Sequence, residues 1–347
     1  MPPDIESDVP LSAPILSSFP GFLWPARCLG GVYENLDGVQ GPGLKEVLRW
    51  KFGRPPPDAE AEGGRDVDVF ETPWNESPIE AASLPEGLAC TWIGHATFLI
   101  EIGNFRLLTD PIFSDSCSPV PSSRLRRLRP PGVALQNLPP IDAVLLSHGH
   151  YDHLDLPSLR ALGSKVPIFC PLGLGRLLRR HGLNPVAEMT WGDRADCGGG
   201  LRFFCLPAQH GYARTPFDRG RTLWCGWRVE WGGRSLHFLG DTGYFRFFRE
   251  FASQPDYVPP DVALIPIGAY RPRWVMRVVH MSPEEAVRTH LDLRARLSIG
   301  MHYDTFMLAD EQVGEASRDL RHALAQGGIP SGNFLLPPPG KRLSNEA

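Results

Sequence analysis

Residues 143–155 read Ala-Val-Leu-Leu-Ser-His-Gly-His-Tyr-Asp-His-Leu-Asp, an apolar run followed at once by His148, His150, Asp152 and His153. Neutral imidazole is a good ligand for zinc and similar divalent ions, and a carboxylate can complete such a site. Residues 143–146 have the length and composition of a buried strand, so the polar cluster sits on the turn where that strand ends. A lone histidine is more often a satisfied structural residue. Four potential ligands within six residues at a strand end are hard to explain by packing. Three further candidates, His210, Asp241 and His302, each follow a predicted strand. Ligands at strand ends, brought together by a sheet, make a rigid site. One metal could take His148, His150 and His210, a second could take Asp152, His153 and His302, and Asp241 could bridge them. Two metals roughly 3.5–4 Å apart can share a water and lower its pKa toward neutrality, giving a hydroxide nucleophile for an ester or phosphodiester.

Those residues need elements to carry them. Strands are expected at 90–93 and 97–102 around Gly94-His95-Ala96, and at 105–108 before Thr109-Asp110-Pro111. His95 and Asp110 thus both sit at strand ends. Asp110 could orient a metal-ligating histidine or simply cap its turn. Further strands are expected at 166–170, 201–206, 262–266 and 297–301, with 223–231 and 234–239 as a hairpin turning at Gly232-Gly233. Helices are expected at 44–52, 156–162, 172–181 and 311–326. Another should start at Ser282-Pro283-Glu284-Glu285, where Ser282 and Glu285 fit a capping box and Pro283 the first helical position. Early antiparallel pairing followed by alternating strand and helix suggests a layered α/β protein.

Composition sets the class. The 347 residues are 42% hydrophobic and 21% charged, ordinary for a soluble globular protein and enough for one large domain with decorations or two domains. Residues 1–85 read as an N-terminal extension and linker, and 86–347 as the catalytic domain. Ile15, Leu16, Phe19, Phe22, Leu23 and Trp24 form an apolar arm that either packs on the domain or touches a membrane. Residues 54–65 (RPPPDAEAEGGR) are a linker by composition. Arg124, Arg126, Arg127 and Arg129 form a basic loop, either merely solvated or facing an anionic headgroup. The net charge of −4 and the lack of a basic or aromatic nucleic-acid module argue against a nucleic-acid partner. Seven cysteines without a C-x-x-C pair suggest reduced core residues in a reducing compartment, hence a cytoplasmic location. No apolar run approaches the roughly 18 residues of a spanning helix, and no secretory leader is evident. Membrane contact would therefore be peripheral.

The series His148-x-His150-x-Asp152-His153, His210, Asp241, His302 resembles the ordered ligand motifs of the metallo-β-lactamase fold hydrolases. A closer likeness lies in Trp92-Ile-Gly-His95-Ala-Thr97, Leu108-Thr-Asp110-Pro-Ile-Phe113, Pro207-Ala-Gln-His210, Gly240-Asp-Thr-Gly-Tyr244 and Ile265-Pro-Ile-Gly-Ala-Tyr270. These look like N-acylphosphatidylethanolamine-hydrolysing phospholipase D, over roughly residues 88–308. The resemblance implies a four-layer αββα sandwich of the metallo-β-lactamase type with the metals at one edge of two sheets. It implies two Zn(2+) ions on the seven ligands, with zinc favoured over iron or manganese by family usage. It also implies a phospholipid substrate, cleaved to phosphatidic acid and N-acylethanolamine. Asp152 and His280 are the expected catalytic residues, His280 matching a family histidine near the scissile phosphate. Trp274, Val275, Met276 and the N-terminal arm would offer apolar surface to acyl chains. Gly211-Tyr212 after His210 and Tyr303-Asp304 after His302 depart from the animal enzymes, near where acyl chain or headgroup would sit. Two alternatives stay open: the same site acting on a soluble phosphodiester or lactone, and a non-enzymatic metal-stabilised binding protein. A homodimer is a further expectation.

Overall fold

Short runs of β-branched, aromatic and Leu residues dominate the chain, and most of them fold as strands because a pleated, half-buried surface suits them. The computed structural model describes residues 14–18, 21–53, 84, 86–120, 122 and 125–344. Phe19, Arg124 and the linker at 54–65 lie outside the described residues. The chain begins with β1 (Ile15–Ser18), β2 (Arg27–Leu29), β3 (Val32–Glu34) and α1 (Leu44–Phe52). Next come β4 (Leu88–Gly94), β5 (Thr97–Ile102), β6 (Phe105–Thr109), β7 (Ala143–Leu145), α2 (Leu156–Leu162), β8 (Ile168–Pro171), α3 (Gly175–Arg180) and β9 (Val186–Met189). The third stretch holds β10 (Asp193–Asp196), β11 (Arg202–Leu206), β12 (Gly226–Trp231), β13 (Arg234–Phe238), α4 (Phe247–Ala252) and β14 (Val262–Pro266). The last holds α5 (Arg273–Met276), α6 (Pro283–Asp292), β15 (Leu297–Met301), α7 (Glu315–Gln326), β16 (Phe334–Leu335) and β17 (Arg342–Leu343).

Two mixed sheets result. One runs β17-β4-β5-β6-β7-β8-β9, the other β1-β10-β11-β12-β13-β14-β15-β16. In each, antiparallel pairs give way to parallel ones, at β6–β7 and at β13–β14. The sheets face each other across an aromatic core of Trp92, Phe98 and Phe169 from one and Phe203, Trp227 and Phe238 from the other. The Phe169 and Phe203 rings meet edge to face at 4.7 Å between centroids. Each such side chain, once buried, contributes about 1.5–3 kcal/mol. Trp227 Nε1 also donates to Leu146 O at 2.9 Å, tying the second sheet to the strand end that leads into the histidine cluster. On the outside, α6 covers β14 and packs against α4 and α7, while α3 lies beside β9. The architecture is the expected αββα sandwich.

Two expected helices start later than their sequence pattern suggests. The helix expected at 172–181 begins at Gly175, because Gly173 takes a left-handed turn (φ +100°) and Glu188 Oε1 accepts both Gly173 N and Gly175 N. The one expected at 311–326 begins at Glu315. Glu311 instead turns its carboxylate back onto the Ala269 and Arg271 amides. By contrast α6 forms as its sequence dictates, with Ser282 accepting from Glu285 N and Glu285 accepting from Ser282 N. The N-terminal arm is integrated rather than loose: β1 is the edge strand of the larger sheet, antiparallel to β10.

Candidate metal centre

The strands deliver their last residues to one edge of the sandwich. His95 sits in the β4–β5 turn, Asp110 follows β6, and the loop after β7 carries His148, His150, Asp152 and His153. His210 lies beyond β11, Asp241 beyond β13 and His302 immediately after β15. His95, Asp110 and His302 hold φ of +55°, +32° and +60°, a conformation L side chains seldom adopt. Such strain costs of order 1–3 kcal/mol per residue and persists only where the surroundings enforce it.

Hydrogen bonds outside the cluster fix how each imidazole faces it. Asp110 is buried between β6 and β7. It accepts from Ser147 N at 2.7 Å and Ser147 Oγ at 2.5 Å, and its Oδ2 lies 2.6 Å from His153 Nδ1. A carboxylate only accepts, so His153 donates through Nδ1 and turns Nε2 inward. Ser147 Oγ donates its hydrogen bond to Asp110, so His148 Nδ1, 2.9 Å away, donates to that oxygen and likewise turns Nε2 inward. His210 Nδ1 donates to Val279 O at 2.9 Å, with the same result. His210 is clasped further by Asn35, which accepts from its N–H and donates to its C=O, both at 3.0 Å. Imidazoles held through one nitrogen by an outer acceptor are how proteins orient metal ligands.

All seven sequence-derived ligand candidates converge. His148 Nε2 lies 2.8 Å from His150 Nδ1, which lies 3.2 Å from His210 Nε2. In the neighbouring group Asp152 Oδ2 is 3.3 Å from both His153 Nε2 and His302 Nε2. Asp241 Oδ2 stands between the two, 3.1 and 3.0 Å from His153 and His302 and 3.9 and 3.8 Å from His148 and His210. A tetrahedral ion with bonds of about 2.0–2.1 Å separates its donors by about 3.3–3.4 Å, close to these spacings. His153 Nε2 and Asp241 Oδ1 are buried without a hydrogen-bond partner. The donor set and its orphaned atoms therefore fit divalent cations.

Electrostatics point the same way. Burial, reinforced by neighbouring imidazoles, holds His148 well below the usual histidine range and His150 at about 3. Burial also disfavours charge on His153 and His302, but the Asp241 and Asp152 carboxylates outweigh it, raising His153 well above its usual value and His302 to about 9. The two carboxylates stay ionised against burial because these imidazoles face them. The cluster thus holds excess negative charge that protons, or cations in their place, must balance.

His280 stands beside this group. Its Nδ1 lies 3.9 Å from Asp241 Oδ2, buried and without a hydrogen-bond partner, and its ring is 5.1 Å from that of His210. His95, which the sequence placed only at a strand end, belongs to the same cluster, with Nε2 2.8 Å from Asp152 Oδ2. Its signal was positional: it lies at the same sheet edge as Asp110 and could be found only by asking where every strand end leads. Asn35 carried no signal at all. Val275 and Met276 are buried, packing with Val279 against Trp50 and Trp274, so they form a small satellite core more than open apolar surface.

Residues 105–303 match the β-lactamase superfamily domain. The chain is 38% identical, over 67% of its length and 68% of the relative, to N-acyl-phosphatidylethanolamine-hydrolyzing phospholipase D 1 of Caenorhabditis elegans. It is 30% identical, over 62% of its length and 84% of the relative, to a metal-dependent hydrolase of Pyrobaculum aerophilum. Among solved structures, an isothiocyanate hydrolase from Delia radicum gut bacteria superposes with a TM-score of 0.60 at 19% identity, covering 74% of this chain and 98% of that one, a likeness of fold. The chain therefore belongs to the β-lactamase superfamily, as a metal-dependent hydrolase related to N-acylphosphatidylethanolamine-hydrolysing phospholipase D.

Proposed function

We propose that the chain is a two-zinc phosphodiesterase that hydrolyses N-acylphosphatidylethanolamine-type phospholipids to phosphatidic acid and an N-acylethanolamine. The observation that carries the reading is Asp241 Oδ2, poised between two groups of inward-facing donors. The 38% identity to a phospholipase D of that specificity supports the substrate. His148, His150 and His210 would hold one zinc and Asp152, His153 and His302 the other, with Asp241 shared. Bound there, paired divalent cations lower the pKa of water toward neutrality and offset charge on phosphoryl oxygens.

The chain's own residues do the rest. Asp110, Ser147 and the Val279 carbonyl hold three imidazoles in one tautomer and orientation. This preorganisation removes a cost otherwise met when the substrate binds. His280, with a free Nδ1 beside Asp241, donates a hydrogen bond to a phosphoryl or leaving oxygen. Hydrolysis consumes one water: the P–O bond on the headgroup side breaks, phosphorus gains the water oxygen, and the leaving alkoxide takes up a proton. Peripheral contact with a bilayer fits α1, where exposed Leu48 and Phe52 stand among Lys45, Arg49 and Lys51. Apolar side chains on a basic helix favour an anionic interface.

A second reading keeps the site and changes the substrate to a soluble phosphodiester or lactone. It is favoured by the burial of Val275 and Met276, which leaves them little surface for acyl chains. Zinc-loaded protein assayed on N-acylphosphatidylethanolamine liposomes and on a soluble chromogenic phosphodiester separates the two. Release of N-acylethanolamine from liposomes, abolished by a chelator, is expected; turnover of the soluble ester alone would sink the lipid reading.

A further inference from the structure

We propose that His95 is a positioning residue, holding Asp152 by its side chain and His302 by its backbone, so that the two meet at one metal. This rests on the metal-binding reading above. The side chain comes first. His95 Nε2 lies 2.8 Å from Asp152 Oδ2, a hydrogen-bond separation and shorter than the 3.3 Å from that oxygen to His153 or His302. Carboxylate oxygen cannot donate, so the proton is on His95 Nε2. His95 lies in the same group of closely spaced donors, and its 2.8 Å contact gives it the part of hydrogen-bond donor to the Asp152 carboxylate. It is the donor that fixes where the Asp152 carboxylate points.

The backbone does a second task. His95 O accepts from His302 N at 3.0 Å, so the turn between β4 and β5 carries the residue that follows β15. His95 N donates to Thr305 Oγ1 at 2.8 Å, and Trp92 Nε1 donates to the same His95 carbonyl at 2.9 Å. The ring is held between the imidazole of His302, 4.1 Å away, and the ring of Phe306, 5.2 Å away edge to face. Both His95 and His302 take positive φ, so each departs from ordinary strand geometry where they meet. One residue thereby couples two ligand candidates from different sheets.

Two substitutions separate side chain from backbone. In His95→Gln the amide nitrogen reaches about as far as Nε2 and can still donate to Asp152. His95→Asn tolerates positive φ better than most residues but its amide stops short. Zinc content and affinity are measured on desalted protein, with cobalt(II) spectra to report the geometry of each site and melting temperatures of the metal-free forms. Wild type and His95→Gln should each retain about two zinc ions per chain. His95→Asn should bind the second roughly 10- to 100-fold more weakly, with an altered cobalt spectrum, while the first is kept. Tight binding of both ions by His95→Asn would overturn the proposal, as would equal weakening in His95→Gln. Loss of both ions together with a much lower metal-free melting temperature would also overturn it, by showing a role in folding alone. A wild type that binds no zinc would instead remove the metal reading itself, and this role with it.

Discussion

Asp241 is the residue on which the two donor groups depend, since its Oδ2 is the oxygen that faces both. Asp241→Asn should lower turnover by roughly 100-fold or more and deplete bound zinc, measured by metal analysis beside the liposome assay. Asp110 is fully buried, and it sets the tautomer of His153 directly and that of His148 through Ser147. Asp110→Asn should therefore weaken metal binding by roughly 10- to 100-fold, read by chelator competition, with the fold kept. Unchanged affinity would show that these hydrogen bonds are incidental. The ligand candidates were legible because His and Asp recur right after apolar runs. His95 was less so: a single histidine between two strands looks like any satisfied core residue until Asp152 is found 2.8 Å away.

Strands with apolar runs, β4 to β8 and β11 to β15, announced themselves because burial on both faces demands that composition. The rest did not. The four residues of β1 (Ile-Leu-Ser-Ser) are all exposed, and β10 (Asp-Arg-Ala-Asp) is mostly charged, so backbone pairing, of β1 with β10 and of β10 with β11, makes them strands. Asn35 follows β3 and holds His210 by two hydrogen bonds, a contact between residues 175 apart that no local pattern encodes. Asn35→Ala should strand a buried backbone donor and acceptor. It should lower stability by about 1–3 kcal/mol in urea unfolding and weaken the zinc site that includes His210. Ser282→Ala removes the cap of α6 and should cost about 0.5–2 kcal/mol, read by urea unfolding.

At the scale of the molecule, no helix among the described residues is long and apolar enough to cross a membrane. Stability should also respond to pH away from the metal cluster. Burial, and then the adjacent Arg228 charge, hold His237 well below its ordinary value, with Arg228 Nη1 donating to its Nε2 at 2.8 Å. In the unfolded chain this histidine takes up a proton near pH 6.5, whereas in the folded chain it stays neutral. The unfolded state then binds more protons, so stability falls as pH drops below about 6.5, by up to about 1.4 kcal/mol per unit. In metal-free protein, His237→Gln should flatten that part of the denaturation profile; an unchanged slope would assign the acid sensitivity elsewhere. The most direct test of a water-driven phosphodiesterase is where the water oxygen goes. Zinc-loaded protein would be incubated with N-acylphosphatidylethanolamine vesicles in ¹⁸O-labelled water and the products resolved by mass spectrometry. The expected result is label in phosphatidic acid and none in N-acylethanolamine. No phosphatidic acid, or label in the ethanolamide, would contradict it.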